Sequence, residues 1–344
     1  MLRFARTCRW LLYPAPLALF ADWSVVVLIS LDYFMPRVSI IIPTFDRPHL
    51  LSRAVESARL AGTGVEVIVV DDASSDSTAG LCANLQGIKY VRLDRNQGVA
   101  GARNIGLLES TAEFIAFLDD DDLRLSNSLD HQLSLFESLP EAGFVAGGVM
   151  LGDQECVPTG KTALVRAERG DLFWKILQLN VHLIPSSVVV RKSCFQEVGL
   201  FNRRLAGIDD WDMWARIAEQ RPVLIDPAPV CIYRQPTPSS RQGSSSFAKH
   251  MRRACNHQPK LLALPRAHTA PASQRRSIRK ITRRRIADTL SWRAAEELPD
   301  GAIGFAAENI LTALRISPAW AIRPTHLRVF WRSLKTKRGG SSAV

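Results

Sequence analysis

From Val38 onward, short apolar runs alternate with stretches that carry their apolar residues on one helical face, and the links between them are only a few residues long. The runs cover residues 38–42, 65–70, 88–93 and 114–118, and they are rich in β-branched and aliphatic residues. Runs of this kind are expected of strands buried on both faces of a parallel sheet. Between the first two, Asp46 is placed to cap a helix with Pro48 in its first turn; Leu51, Val55 and Ala58 share one face, and Gly62 and Gly64 end it. A second helix is expected from Ser75 or Asp76 to about Leu85, and a third over 99–109. A fourth follows Ser126 or Asn127, with Leu129, Leu133 and Phe136 in line. Such alternation predicts an α/β domain with a mostly parallel sheet flanked by helices. Right-handed crossovers bring the loops that follow the strands to one sheet edge, where ligands of open α/β sheets bind. Three polar clusters stand at those strand ends and are expected to converge on one crevice: Thr44-Phe45-Asp46, Asp71-Asp72 and Asp119–Asp122.

After Gly143 the pattern loosens. Further strands are expected over 144–151, 186–191, 222–225 and 231–233, and a helix over 211–219. Residues 235–246 are rich in Pro, Ser and Gly, a linker composition. Beyond them, 275–285 is strongly basic, and 303–314 and 327–334 have helical patterns. The expected organisation is an N-terminal extension over 1–36, an α/β domain over 37–235, a linker over 236–250 and a basic helical region over 251–344. Within the first 35 residues Pro14, Pro16, Asp22 and Asp32 interrupt the apolar stretch, so no run long enough to span a membrane survives. Met35-Pro36-Arg37 stands directly before the first strand, so residues 1–34 read as an upstream extension or a poorly ordered segment.

The chain's 344 residues, 47% of them hydrophobic, suffice for one large core. The net charge of +11 is uneven: residues 245–344 hold 20 Lys and Arg against 5 Asp and Glu, and the rest is slightly acidic. Two readings stand for the basic region, an anionic partner such as a phospholipid surface or a solvated helical face. Six scattered cysteines have neither metal-ligand spacing nor the look of a disulfide scaffold, so a reducing, cytosolic setting is expected, with Cys82 and Cys194 as buried thiols.

Four adjacent carboxylates repel one another, and a divalent cation offsets that repulsion; hard oxygen ligands suit Mg²⁺ or Mn²⁺. The alternative for Asp119–Asp122 is a solvated loop of turn-forming aspartates. A carboxylate at the end of the second strand, Asp72, can accept a hydrogen bond from a nucleobase N–H. Asp71 and Asp76 can instead cap the next helix.

The words Val38-Ser-Ile-Ile-Ile-Pro43-Thr44-Phe45, Val-Val-Asp71-Asp72-Ala-Ser-Ser-Asp76, Asn96-Gln-Gly98-Val-Ala-Gly-Ala-Arg103-Asn104 and Phe114-Ile-Ala-Phe-Leu-Asp119-Asp120-Asp121-Asp122 resemble the opening of the family 2 glycosyltransferases in content, order and spacing. The resemblance is close over about 37–140 and looser to about 235. It implies a GT-A fold, a nucleoside-diphospho-sugar donor (UDP-sugar favoured), a divalent cation and inversion at the anomeric carbon. It further implies that Pro43 and Phe45 line the base pocket, that Asp72 binds the base and that Arg103 lies on the nucleotide side. Asp119 and Asp121 become the D-x-D pair, Asp121 the direct metal ligand, and Asp120 a ribose or sugar contact. The segment Gly207-Ile-Asp209-Asp210-Trp211-Asp212 is similar to the family's acidic pair before an aromatic and a helix, with Asp209 where Glu is commoner. Asp210 is then the catalytic base, with Asp212 as competitor and a helix cap as the plainer role. Ile184-Pro-Ser186-Ser187 and Gly199-Leu-Phe201-Asn202 resemble the acceptor-side segment, with Asn202 in place of a commoner Asp. His182 is read as structural or acceptor-contacting, and Trp211 and Trp214 as a sugar platform or core.

The expected activity is a single sugar addition to an acceptor hydroxyl, on a glycan or lipid-linked acceptor in cell-surface glycan synthesis. Processive synthases tend to carry a Gln-x-x-Arg-Trp motif and several membrane spans, and neither is found here. A nucleotidyltransferase is the first rival, although the loop Pro43-Thr-Phe-Asp46-Arg-Pro48 lacks that class's glycines. The second is a noncatalytic nucleotide-sugar or membrane-surface binding protein. Residues 275–338, with Trp292, Trp320 and Trp331 among their cations, suggest peripheral contact with anionic lipid at the inner face of the cell membrane. No nucleic-acid module is recognisable, so no nucleic-acid partner is expected.

Overall fold

The computed structural model describes residues 35–163, 166–181, 183–235, 247–297 and 302–319. Four strands open the fold: β1 (Val38–Thr44), β2 (Val65–Asp71), β3 (Ile88–Arg92) and β4 (Phe114–Phe117). They alternate with α1 (Pro48–Leu60), α2 (Thr78–Asn84) and α3 (Val99–Glu109). β1 pairs in parallel with β2 and β4, and β2 with β3. β1 is buried along its whole length, which is why it reads as an uninterrupted apolar run. Leu51, Val55 and Ala58 of α1 lie in the core as their spacing predicts. α3 packs close on β1 through Gly106, where an added Cβ would fall 2.3 Å from Ile41 Cγ2.

Asp46 does not cap α1. Arg47 flanks the helix start, and Asp46, at φ 51°, directs its carboxylate to the Ser75 N–H at 2.7 Å. The Asp46 N–H donates to Ser74 Oγ at 3.0 Å, so this residue ties the loop after β1 to the loop after β2. Asp76 does act at the start of α2, accepting from the Thr78 N–H at 2.9 Å.

The rest of the chain widens the sheet: β5 (Leu123–Arg124), α4 (Ser128–Ser138), β6 (Phe144–Gly152), β7 (Pro158–Ala163), β8 (Glu168–Gly170), α5 (Phe173–Leu177), β9 (Val188–Arg191), α6 (Ser193–Val198), α7 (Asp209–Gln220) and β10 (Val223–Arg234). The strand order is β3-β2-β1-β4-β9-β6-β10-β5, with β7 against β6 and β8 against β10. β9 is antiparallel to both β4 and β6, whereas β6 and β10 are parallel, so a mixed half extends the parallel one. The two strands expected over 222–225 and 231–233 are one irregular strand, β10, with register shifts around Pro229.

Four further helices follow: α8 (Phe247–Leu261), α9 (Pro265–Thr269), α10 (Ala272–Glu297) and α11 (Ile303–Ile316). α8 begins inside the segment expected to be linker. These helices join the core of the sheet: Ala254, Cys255, Leu261, Ile278, Ile286 and Leu290 belong to the same buried cluster as Phe117, Phe144 and Trp214. Thr282 of α10 donates to the carbonyl of Leu177 at 3.0 Å. Among the described residues no helix is long and apolar enough to cross a membrane. The N-terminal extension, His182, Trp320, Trp331 and the helix expected over 327–334 lie outside the described residues.

Candidate active site

The strand-end clusters do meet. The Asp119–Asp122 run leaves β4 and turns at once into β5, and each of its carboxylates has its own partners. Asp120 accepts from Thr44 Oγ1 at 2.8 Å and from Arg47 Nη1 at 3.1 Å; Asp121 accepts from the same Arg47 nitrogen at 3.0 Å. Asp119, more open than its neighbours, accepts from Arg103 Nη2 at 2.6 Å. Asp122 is fully enclosed, held by Ser186 Oγ at 2.6 Å and the Arg234 N–H at 3.0 Å. It ties β5 to β10, a structural task that separates it from the other three. Burial first, then Asp120 and Asp119, push the Asp121 carboxyl up to about 7. Negative charge is therefore crowded here, and a cation would relieve it.

Arg103, placed on the nucleotide side by the resemblance, is enclosed, with its side chain 4% exposed, and spans Asp119 on one side and Asp209 Oδ2, at 3.0 Å, on the other. Its guanidinium lies 6.0 Å from the Phe117 ring and 5.8 Å from the Phe201 ring. One buried cation thus joins the end of β4 to the first turn of α7.

Asp72 is also buried, and both its oxygens accept backbone N–H groups, from Gln97 at 2.6 Å and Gly98 at 2.8 Å. It fixes the turn before α3, and a base contact would have to use its remaining lone pairs. Asp71 is occupied too, by the Ser74 N–H, the Tyr90 hydroxyl and Arg92. Pro43 is buried within β1, while Phe45, 44% exposed, stands free at the crevice rim.

Asp209, Asp210 and Asp212 occupy the first turn of α7 and differ sharply in their surroundings. Asp212 is saturated: Arg216 Nε holds Oδ2 at 2.9 Å and His257 Nε2 holds Oδ1 at 2.7 Å. Against the pull of burial, His257 and Arg216 keep its carboxyl below the ordinary range. Asp210 is partly exposed and accepts only the Trp211 N–H, at 2.7 Å. Burial, then the adjacent Asp209, push it up to about 7. Trp211 and Trp214 are buried; Trp214 stacks among Phe117, Phe144 and Phe201, and the Trp211 indole N–H donates to the Ile176 carbonyl at 2.8 Å. Both belong to the core and not to a sugar platform. Asn202 accepts from the Arg204 N–H in a short turn.

Two contributors carried no motif. Arg47 had no signal beyond its place beside Pro48. α8 lies over the acidic segment that opens α7: His250 sits on Gly207, Arg253 bonds the Ala206 carbonyl, and His257 holds Asp212. Gly207 is required there, since its φ is +83° and a Cβ would fall 2.5 Å from the His250 ring.

Among the described residues no three His, Cys, Asp or Glu side chains gather to hold a metal unaided. The donor set still fits Mg²⁺ or Mn²⁺, which commonly take one or two protein carboxylates and complete their shell with water and substrate phosphate.

Acidic clusters at the carboxyl ends of an open α/β sheet are thus joined to an acidic helix start across one crevice. Residues 39–199 match the family model described as Glycosyl transferase family 2. Over 102 residues the chain is 45% identical to the GalNAc(5)-diNAcBac-PP-undecaprenol beta-1,3-glucosyltransferase of Campylobacter jejuni, covering 28% of this chain and 33% of that one. The first curated relatives, named as glycosyltransferases, are matched over only 32–37% of their own lengths. The fold is similar to that of S. aureus TarS 1-349 in complex with UDP-GlcNAc, at a TM-score of 0.51 and 15% identity, over 83% of this chain and 91% of that one. It is also similar to mannosyltransferase PcManGT from Pyrobaculum calidifontis in complex with GDP-Man and Mn²⁺, at 0.50 and 18%, over 87% and 84%.

Proposed function

We propose that the chain is an inverting, metal-dependent glycosyltransferase that moves one sugar from a nucleoside-diphospho-sugar to an acceptor hydroxyl in glycan biosynthesis. The observation that carries this reading is the Arg103 bridge, which holds the aspartate run and the Asp209-Asp210 pair within the span of one guanidinium. A leaving-group end and a proton-accepting end are thus fixed relative to each other, as in-line displacement requires.

Asp210 takes the proton of the acceptor hydroxyl, whose oxygen attacks the anomeric carbon from the side opposite the diphosphate. Its neighbour Asp212 is paired with Arg216 and His257, which favour its ionised form and weaken it as a base. Asp121, with Asp119, would hold the divalent cation, which when bound supplies neutralisation of the departing diphosphate. Phe45 offers an exposed ring for the base. Asp72 supports the base pocket through the Gln97-Gly98 turn and contacts the base through its spare lone pairs; Pro43 backs Phe45 from within β1. Asp120, partnered by Thr44 and Arg47, faces the ribose or sugar. A UDP-sugar is the favoured donor and a glycan or lipid-linked molecule the acceptor, in line with the names that the relative and one structural neighbour carry. The enzyme works at the cytoplasmic side of the membrane, in peripheral contact with anionic lipid through the basic C-terminal region; residues 37–235 carry the transferase site, and α8, α10 and α11 complete its core.

The test is metal-dependent release of nucleoside diphosphate from a panel of sugar nucleotides. Asp121→Asn and Asp210→Asn are each expected to lower turnover by at least about 10²-fold, the scale of a general base or a principal electrostatic stabiliser, with the melting transition retained. Full turnover in either variant overturns that residue's assignment. Binding without release for every donor favours a noncatalytic nucleotide-sugar protein.

A further inference from the structure

Arg47 stands where the loop after β1 meets α1, and one of its nitrogens serves both Asp120 and Asp121. Its side chain is 22% exposed, while those of the two carboxylates are 6% and 4% exposed. Carboxylates so enclosed need a cation beside them, and here a side chain of the same chain supplies it. We propose that Arg47 is the resident counter-ion of the aspartate run and that it exchanges partners as the donor binds: it gives up Asp121 to the divalent cation and takes the donor's diphosphate instead. This rests on the metal reading of Asp121 given above.

A small divalent cation held by Asp121 would lie close against its carboxylate oxygen, at about 2.0–2.1 Å for Mg²⁺. The guanidinium now on Oδ2 would then face a double positive charge at close range, and the two repel. Arg47 is the partner able to move. It is the most exposed of the three, and its long side chain projects from a helix start that carries no side-chain cap bond. It also moves to the right place. Two residues away stands the exposed Phe45, and Thr44 anchors Asp120 beside it, so the released guanidinium stays on the nucleotide side. Guanidinium groups match phosphate oxygens with two parallel hydrogen bonds. Two opposed effects follow. Arg47 competes with the cation when the cation arrives alone, and it adds affinity when cation and diphosphate arrive together. By linkage this makes metal and nucleotide binding mutually reinforcing.

The experiment compares the full chain with Arg47→Ala and Arg47→Gln. Binding of Mn²⁺ alone is read from the free-ion paramagnetic resonance signal, and binding of UDP, with GDP in parallel, at saturating Mn²⁺ by calorimetry. Relative to the unaltered chain, Arg47→Ala is expected to bind Mn²⁺ alone about tenfold more tightly and Mn²⁺-nucleotide about tenfold less tightly, within the usual range of coupling free energies. That crossing is the signature, since a purely structural ion pair would shift neither value in this opposed way. Arg47→Gln keeps the length of the side chain without its charge, and gives the same crossing should the alanine variant fold poorly. Equal Mn²⁺ affinity in all three proteins overturns the exchange and leaves the metal reading intact. Tighter Mn²⁺ binding with unchanged nucleotide affinity overturns the diphosphate half. If Mn²⁺ binds none of them with either nucleotide, the metal reading fails and the exchange falls with it.

Discussion

At Asp210, burial and the neighbouring Asp209 push the carboxyl up to about 7, while Arg103 pulls the other way. A base must be ionised to act, so kcat/KM is expected to rise with pH through about 7 and level off above it; a flat profile over that range would remove Asp210 from the role. For stability the sign is reversed. The folded chain holds this proton more tightly than the unfolded one does, so the contribution is complete below 3.8 and is lost as pH rises through about 7. Asp210→Asn, neutral at every pH, is therefore expected to melt at a higher temperature than the unaltered chain at about pH 8, with no such gain at about pH 4. An unchanged or lower melting temperature at the higher pH contradicts the burial argument. At this scale the sequence displayed the acidic groups but not their partners. The aspartates of 119–122 and 209–210 are visible as words, whereas Arg103 bridging residues 16 and 106 positions away, and Arg47 reaching 74 positions to Asp121, are products of the fold.

α7 carries the acidic turn, and α8 holds it down. His257 Nε2 lies 2.7 Å from Asp212 Oδ1, and both side chains are under 10% exposed. Removing the imidazole leaves a buried carboxylate oxygen without its partner, at a cost of about 1–3 kcal/mol. His257→Ala is thus expected to lower the unfolding free energy by that amount, read as a lower urea midpoint, and to reduce kcat more than it raises KM, because the turn bearing Asp210 loses its tether. His257→Gln restores a donor toward Asp212 and is expected to recover part of both; unchanged kcat in the alanine variant shows α8 to be only a packing helix. The elements themselves were unevenly legible. β1 to β4 read within a residue or two, because strands buried on both faces are continuous apolar runs. β7 is exposed along almost all of its length and β5 is two residues long, so neither has a hydrophobic pattern to find. The antiparallel insertion of β9 between β4 and β6 is a matter of long-range pairing, which local periodicity does not encode.

On the whole molecule, charge is segregated. The acidic crevice lies at the sheet edge, while α10 presents Arg276, Arg279, Lys280 and Arg284 to solvent, with Trp292 half exposed further along. Arg276, Lys280 and Arg284 recur at spacings of four, so they lie within about 80° of one another on one helical face, and Trp292 stands about 80° further round. A basic stripe of this kind suits an anionic bilayer. The chain is expected to co-sediment with vesicles containing phosphatidylglycerol and to be released by about 0.5 M salt, where screening shortens the reach of surface charges to a few ångströms. Arg276→Glu with Lys280→Glu should abolish that binding without affecting turnover on a soluble acceptor; equal binding to neutral vesicles rules out the electrostatic attachment. The apolar cluster that runs unbroken from the sheet into α8, α10 and α11 has a practical consequence for anyone who dissects this protein. The segment 39–199 is where the family likeness is strongest, and Arg234 closes the last strand, yet neither is a place to cut. A fragment ending at residue 199 would lack α7 altogether, and one ending at Arg234 would bare the underside of α7 and strip the contacts on Ala206, Gly207 and Asp212. It would be expected to aggregate, or to fold with its acidic turn adrift. The smallest working piece runs through α11, far beyond the stretch by which the chain is recognised.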